Sequence, residues 1–342
     1  MSSAFPIFSL PFIPLKQVLD SFGSHAIINI SLCSLRSKAV AISYRGPSKD
    51  VQLELGNYYL QRYEKMTICF LLNVKETSKM RKDRILDTVR IGDFRNVPVE
   101  MEMGGKVLTT YWDDRMIGLL EIANYAREIF NRDIYEINLG DEEDLGQAVE
   151  WIRSVQGSIK SLHCGFEPTN DSVLDYVLTN CKYTESLSLH VKPSDGYCPA
   201  KMPNFDIDEL YLLPSFWIKQ NHLLTMNCKY IVLQDSKLSN QDINVLVQHW
   251  MNGGCVKLKE LLITVEVLID YEEILEAVEF TAVTGDNLRD YVNHEDVLLS
   301  IGSSFDIKRS TDGTTATIDE DGVDSQWFHM VVWPDFVGNS CH

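Results

Sequence analysis

From about residue 134 the chain repeats one short signature, apolar-x-x-apolar-x-apolar, and this repetition constrains the fold more than any other feature. It occurs at Ile134, Ile137 and Leu139, at Ile159, Leu162 and Cys164, and at Ile207, Leu210 and Leu212. A poorer copy lies at Thr184, Leu187 and Leu189. Others lie at Cys228, Ile231 and Leu233 and at Leu258, Leu261 and Ile263. The central positions 137, 162, 187, 210, 231 and 261 are 25, 25, 23, 21 and 30 residues apart. Such steps fit the period of leucine-rich repeats, about 20 to 30 residues, although no Asn ladder accompanies them.

Helical stripes fill most of the gaps. Leu145, Ala148, Val149 and Ile152 form one, behind the acids of "GDEED", which suit a helix N-terminus. Val173, Leu174, Val177, Leu178 and Cys181 form another. The clearest is "SNQDINVLVQHWMNGG", with Ser239 as N-cap, Ile243, Leu246, Val247 and Trp250 as the buried stripe, and Gly253-Gly254 as its end. Strand followed by helix, six times over, predicts parallel strands with helices on one side. The expected class is α/β, in the α+β sense, and the repeat region is an arc suited to binding other macromolecules.

Upstream, "VQLEL" and "MTICFLLNV" read as strands, and "VPVEMEM" and "KVLTTYW" flank Gly104-Gly105, which tolerates the positive φ of a tight hairpin. A helix with Met116, Leu119, Leu120, Ala123, Ala126 and Phe130 on one stripe closes this small mixed sheet. The polar run "KETSKMRKDR" reads as a solvated loop. Downstream, "FDIKRSTDGTTATID" is a hairpin around Asp312-Gly313, and "WFHMVVWP" is a further strand. Together they are placed to cap the last repeat, whose open edge would otherwise expose unpaired backbone.

The first residues are a separate problem. In "FSLPFIPLKQVLDSF" the residues Leu15, Val18, Leu19 and Phe22 make one helical stripe, Pro14 suits the first turn, and Gly23 stops it. A second short helix follows with Ile27, Ile30 and then Leu35 in its pattern, Ser24 as its cap and basic residues near its end. About 40 residues in short helices are too few for an independent core. Their apolar face is more useful on a partner.

"LPFIPLKQVLDSF" followed by "INISLCSLRSK" resembles an F-box over roughly residues 5–45. The second helix opens on Gly23-Ser24 where that family commonly has Asp-Pro, and Arg36 stands where Trp is common. The resemblance implies docking on the Skp-type adaptor of a cullin-RING (SCF-type) ubiquitin ligase. Carried over residue by residue, the adaptor-binding set is Leu10, Pro11, Leu15, Val18, Leu19, Phe22, Ile27, Ile30 and Leu32. Residues 228–263 are similar to the F-box-associated region of the large nematode F-box families, and "TYWDDRMIGLLEIANYAREIFN" has the look of the same families. In such proteins that region is taken to recruit the target.

Composition narrows the remaining choices. With 31 basic and 49 acidic residues the net charge is −18, against a protein that tracks nucleic-acid phosphates. The first 50 residues carry five Lys and Arg against two Asp, +3, leaving −21 for the rest, so the body steers basic or mixed-charge partners. No run of 18 apolar residues occurs, so a bilayer span is not expected, and the prolines of the opening stretch argue against a secretory signal. The eight cysteines form no CxxC pair and read as small buried hydrophobes of a reducing compartment. That points to the cytoplasm, with the nucleus also open.

Catalysis finds no support. HExxH, GxSxG and GxxxxGK[ST] are all missing, "DEED" and "DEDG" lack the alternation of an EF-hand, and adjacent His163 and Cys164 on a strand point to opposite faces. The expected organisation is residues 1–45 as adaptor-binding helices, 50–133 as a small α+β subdomain and 134–280 as the repeat-like F-box-associated region. A C-terminal helix and β-hairpin cap follows at 281–336, then a frayed tail at 337–342. The expected function is a non-catalytic substrate receptor with no cofactor and no metal, partnered by the adaptor and an unknown protein target. A free-standing interaction scaffold is the alternative.

Overall fold

Leu10-Pro11 closes an opening turn and α1 (Phe12–Asp20) begins directly after it, with Pro14 in the first turn, where a missing N–H costs nothing. The computed structural model describes residues 7–44, 52–56, 59–64, 67–81, 86–140, 142–166, 171–201, 203, 205–284, 288–293, 297–320 and 325–333. The expected boundary at 45–50, Phe5, Cys341 and the terminal stretch 337–342 lie outside the described residues. The chain divides into two units, Met1–Ile159 and Lys160–His342.

In the first unit α1 is followed by α2 (Ser24–Cys33), α3 (Leu35–Tyr44), β1 (Gln52–Gly56), β2 (Tyr59–Glu64), β3 (Thr67–Glu76) and β4 (Asp87–Ile91). Then come β5 (Phe94–Glu102), β6 (Val107–Trp112), α4 (Arg115–Phe130), β7 (Ile134–Leu139) and α5 (Glu142–Val155). The strand order is β7-β1-β2-β3-β6-β5-β4. It is a mixed sheet, with β1/β7 and β3/β6 parallel and the other pairs antiparallel. The β5–β6 turn carries Gly104 at φ 66° and Gly105 at φ 84°, as its paired glycines predict.

Asp114 caps α4 by accepting the Met116 and Ile117 amides at 2.8 and 3.0 Å. Met116, Leu119, Ala123, Ala126 and Phe130 are buried while Leu120 is half-buried. Gly118 lets this helix settle on β6: a Cβ there would stand 2.4 Å from the Trp112 ring. The head helices belong to this unit too. Ser24 does not cap α2; it is the first helical residue, its side chain turned inward, and Gly23 takes the cap position with its carbonyl accepting from Ala26 and Ile27.

The second unit opens with β8 (Ile159–Phe166), α6 (Ser172–Asn180), β9 (Tyr183–Val191), β10 (Glu209–Leu212), α7 (Gln220–Leu223), β11 (Tyr230–Leu233) and α8 (Asn240–Met251). It continues with β12 (Glu260–Thr264), α9 (Tyr271–Ile274), β13 (Phe280–Val283), β14 (Arg289–Val292) and β15 (Leu298–Ile301). It ends with β16 (Ser304–Lys308), β17 (Thr315–Asp319) and β18 (Trp327–Val332). The main sheet runs β8-β9-β10-β11-β12-β18-β17-β16-β13, and β14 and β15 pair separately. The strands β9 to β12 are parallel and in register, so that Leu187, Leu210, Ile231 and Leu261 form one buried line across the sheet. Those are central positions of the sequence signature. Of the other two, Leu162 lies on β8, next to β9, and Ile137 lies on β7 of the first unit, paired with Leu55.

The helices are less regular than the strands. Full helices follow β7, β8 and β11, but α7 and α9 each span four residues. Among the described residues, no helix lies between β9 and β10. That connection contains Pro193, Pro199 and Pro203, which lack the donor a helix needs. The stretch expected to begin with a C-terminal helix is built from strands among the described residues. The capping expectation has a direct counterpart: β18 pairs antiparallel with β12, Phe328 opposite Ile263, and closes the edge of the parallel set. The hairpin β16–β17 turns at Gly313, φ 74°.

Candidate functional site

The first candidate surface is the head. Its frame is polar: Lys16 pairs with Asp20 at 2.9 Å one turn on, Tyr44 donates to the other Asp20 oxygen, and Arg36 reaches the Phe8 carbonyl at 3.0 Å. These bonds fasten the end of α3 to α1 and hold the opening turn. Further bonds run from the head to the rest of its unit. Tyr125 donates to Ser31 at 2.9 Å, Asn29 donates to the Gly105 carbonyl at 2.8 Å, and Lys38 pairs with Glu128 at 2.5 Å above the Tyr125 ring.

This packing sorts the nine residues assigned to adaptor binding. Leu19 and Ile27 are buried, at 2% and 3% exposure, and belong to the core of the unit itself. Leu10, Leu15, Val18, Phe22, Ile30 and Leu32 are half-buried, and Pro11 is exposed. The most exposed apolar side chains of the head are ones that the resemblance did not single out: Phe12 at 72%, Ile13 at 69% and Leu35 at 67%. Leu35 does not continue the second helix as its spacing predicted: α2 ends at Cys33, Ser34 is extended, and Leu35 opens α3. Phe12 and Ile13 lie on the first turn of α1; Phe12 continues the stripe, three residues before Leu15 and seven before Leu19, whereas Ile13 lies on the other face. The signals that could have found them are the spacing of Phe12 to Leu15 and Leu19 and, for Ile13, an apolar residue placed off the stripe. Beside the head, a cleft of about 800 Å³ is lined by Leu32, Leu35, Lys38, Arg90, Arg95 and Tyr125, among others.

The second candidate surface lies in the other unit, around α8. Ser239 and Asp242 form a reciprocal capping box, the Asp242 amide donating to Ser239 Oγ at 3.2 Å and the Ser239 amide to the Asp242 carboxylate at 2.9 Å. Ile243, Leu246, Val247 and Trp250 are buried as the stripe predicts. The Arg309 guanidinium lies 4.6 Å from the Trp250 ring. Buried Asn244 donates to the carbonyls of Ile274 and Glu276 at 2.8 and 2.9 Å, and buried Asn240 donates to that of Leu268 at 3.1 Å. Asn240 ties the loop after β12 to α8, and Asn244 ties the end of α9 and the residues after it to the same helix. Their four-residue spacing placed them on one helix face, a signal that the hydrophobic stripe overshadowed.

Sequence reading also missed a polar cluster drawn from four strands. His329 on β18 lies with Nε2 3.2 Å from Glu260 Oε1 of β12 and Nδ1 3.4 Å from Asp319 Oδ2 of β17. Tyr291 of β14 donates to the same Glu260 oxygen at 3.0 Å. Burial alone would lower the His329 pKa, but the hydrogen bonds and charges of the two carboxylates outweigh it and hold the value at about 9. The imidazole is charged at neutral pH and joins four strands. His163 and Cys164 do not converge: Cys164 is buried and its thiol pKa is pushed up by desolvation, while the pKa of half-buried His163 is lowered by burial first and by His190 second. Of the other described cysteines, Cys181, Cys228 and Cys255 are buried, but Cys33 and Cys198 are exposed, against the expectation of burial. Among the described residues no group of three His, Cys, Asp or Glu is placed to hold a metal ion, and no helix is long and apolar enough to cross a membrane.

The class of molecule follows from fold and segment together. The chain is an α/β protein with large mixed sheets, and its residues 200–263, from the loop before β10 through β12, match the family model described as F-box associated. It is 27% identical over 239 residues to the Skn-1 dependent zygotic transcript 15 protein of Caenorhabditis elegans, covering 66% of this chain and 68% of that one. An uncharacterized protein of the same organism is 20% identical over 354 residues, covering 96% of this chain and 79% of the relative. A third relative, E3 ubiquitin-protein ligase hecw-1 of Caenorhabditis elegans, is 23% identical over 146 residues, which is 42% of this chain and 11% of that protein. No solved structure matches the chain.

Proposed function

We propose that this protein is a non-catalytic substrate-recognition subunit of a cullin-RING ubiquitin ligase, with its head docking a Skp-type adaptor and its acidic, leucine-rich-repeat-like body holding a protein target. The observation that carries the reading is the F-box-associated match over residues 200–263. Two further features support it: a head whose sequence resembles an F-box and exposes Phe12 and Ile13, and similarity to a segment of a protein named as an E3 ubiquitin-protein ligase. The mechanism is proximity. A receptor that tethers a target beside a charged conjugating enzyme raises effective concentration, while other subunits supply the chemistry. Its setting is the cytoplasm, or the nucleus, and it requires no cofactor.

A free-standing scaffold is the second reading, and a specific observation favours it: Leu19 and Ile27 are buried and Tyr125 and Asn29 bond between the head and the rest of its unit. One experiment separates the two. The full chain is co-purified with a Skp-type adaptor and compared with the double variant Phe12→Asp, Ile13→Asp. Capture by the parent chain that the variant loses at unchanged melting temperature supports the receptor. No capture leaves the scaffold, and equal capture by both keeps the receptor but moves its docking face away from Phe12 and Ile13.

A further inference from the structure

The carboxyl ends of the parallel strands in the second unit carry three exposed apolar side chains close together. Val267 and Leu268, in the loop after β12, are 50% and 55% exposed, and Trp327 at the start of β18 is 42% exposed. The backbone holds them as neighbours. Trp327 pairs with Thr264, the Val265 amide donates to the Gln326 carbonyl at 2.9 Å, and the Ile269 amide donates to that of Ser325 at 2.9 Å. Gln326 reinforces this pairing by donating its side-chain amide to the Glu266 carbonyl at 2.9 Å. The buried Asn240 side chain fixes the Leu268 carbonyl from the other side. The loop is therefore clamped, and its apolar side chains are presented to solvent by a scaffold that pays their ordering cost in advance.

The rim is acidic. Asp235 in the β11–α8 loop, Glu266, and Asp270 at the start of α9 are all exposed. Lys237, exposed in the same loop as Asp235, lies 5.8 Å from the Phe216 ring. Exposed apolar groups inside a polar rim mark an interaction surface. Here the aromatic anchor is Trp, the residue type that most often dominates binding energy.

We infer that this loop rim docks a peptide segment of a partner protein that presents an apolar side chain flanked by Lys or Arg. The apolar residue packs among Val267, Leu268 and Trp327, and the flanking cations face Asp235, Glu266 and Asp270. As a peptide-binding surface this stands independently of adaptor docking; as the target-binding side of a ligase receptor it rests on the function proposed above.

The test uses the full chain and three fluorescein-labelled peptides: one with a central Leu-Phe flanked by Lys and Arg, one with Ser-Ser in the centre, and one with Glu in the flanks. Fluorescence anisotropy is expected to show binding of the first peptide, weakened by added salt, and at least about tenfold weaker binding of the other two. Trp327→Ala and Leu268→Ser are expected to lose about tenfold affinity for the first peptide at unchanged melting temperature. Glu266→Lys is expected to weaken the basic peptide and strengthen the acidic one. The inference is overturned if the parent chain does not bind the first peptide, binds all three alike, or keeps its affinity within about twofold in all three variants. A dimer of the parent chain that Trp327→Ala dissociates would assign the surface to a second copy and overturn it as well. Because no adaptor is present, these outcomes are independent of the co-purification result.

Discussion

Glu54 and Glu136 stand directly opposite each other on the parallel strands β1 and β7. Burial first, and the facing Glu54 charge second, raise the Glu136 pKa to about 7. A carboxyl whose folded pKa is raised binds its proton more tightly in the folded chain than in the unfolded one. Stability therefore falls as pH rises from the unfolded value, 4.5, through about 7. Glu136→Gln should remove this penalty. The variant is expected to be more stable than the parent by about 1 to 2 kcal/mol at pH 8, a figure reduced for partial solvent screening, and to lose that advantage at pH 4. Urea unfolding at the two pH values checks it, and an equal difference at both would refute the raised carboxyl pKa.

His329 gives the opposite sign of argument from the same rule. Its folded pKa, about 9, lies above the ordinary 6.5, so its contribution is fully present below pH 6.5 and is lost as pH rises through 9. His329→Gln should leave Glu260 and Asp319 without their shared cation and lower stability by about 2 to 4 kcal/mol at pH 6. The gap between parent and variant should shrink by pH 10. Melts across that range measure the difference, and a gap independent of pH would mean that the imidazole is neutral.

Trp250 is fully buried on the inner face of α8, with Arg309 against its ring. Trp250→Ala is expected to cost about 3 to 5 kcal/mol. Chemical denaturation tests this, and near-normal stability would contradict the burial.

Leu19 separates core from dock within a single helix. At 2% exposure its replacement by Asp puts an unpaired charge into the first unit, so Leu19→Asp is expected to lower stability by several kcal/mol, about 3 or more. Phe12→Asp, at an exposed position, should leave the melt unchanged. Equal melting temperatures for the two variants would overturn the assignment of Leu19 to the core.

The line Leu187, Leu210, Ile231 and Leu261 was legible in the sequence because a parallel strand buried in a sheet needs an apolar residue at each matched register position. The α8 cap, stripe and stop were legible for the same local reason: Ser239, Ile243, Trp250 and Gly253 act within one helix and its ends. Adjacent His163 and Cys164 could be seen not to converge from strand alternation alone. What lay beyond the sequence depends on residues far apart in it. Glu260, Tyr291, Asp319 and His329 come from four strands, and only their pairing makes one buried charge cluster. Leu19 and Phe12 sit on one short helix and differ only in what packs against each. Local periodicity reports which side chains avoid water, but whether the covering surface belongs to the same unit or to a partner is decided by tertiary packing, because the transfer free energy of an apolar group does not depend on which chain removes it from water.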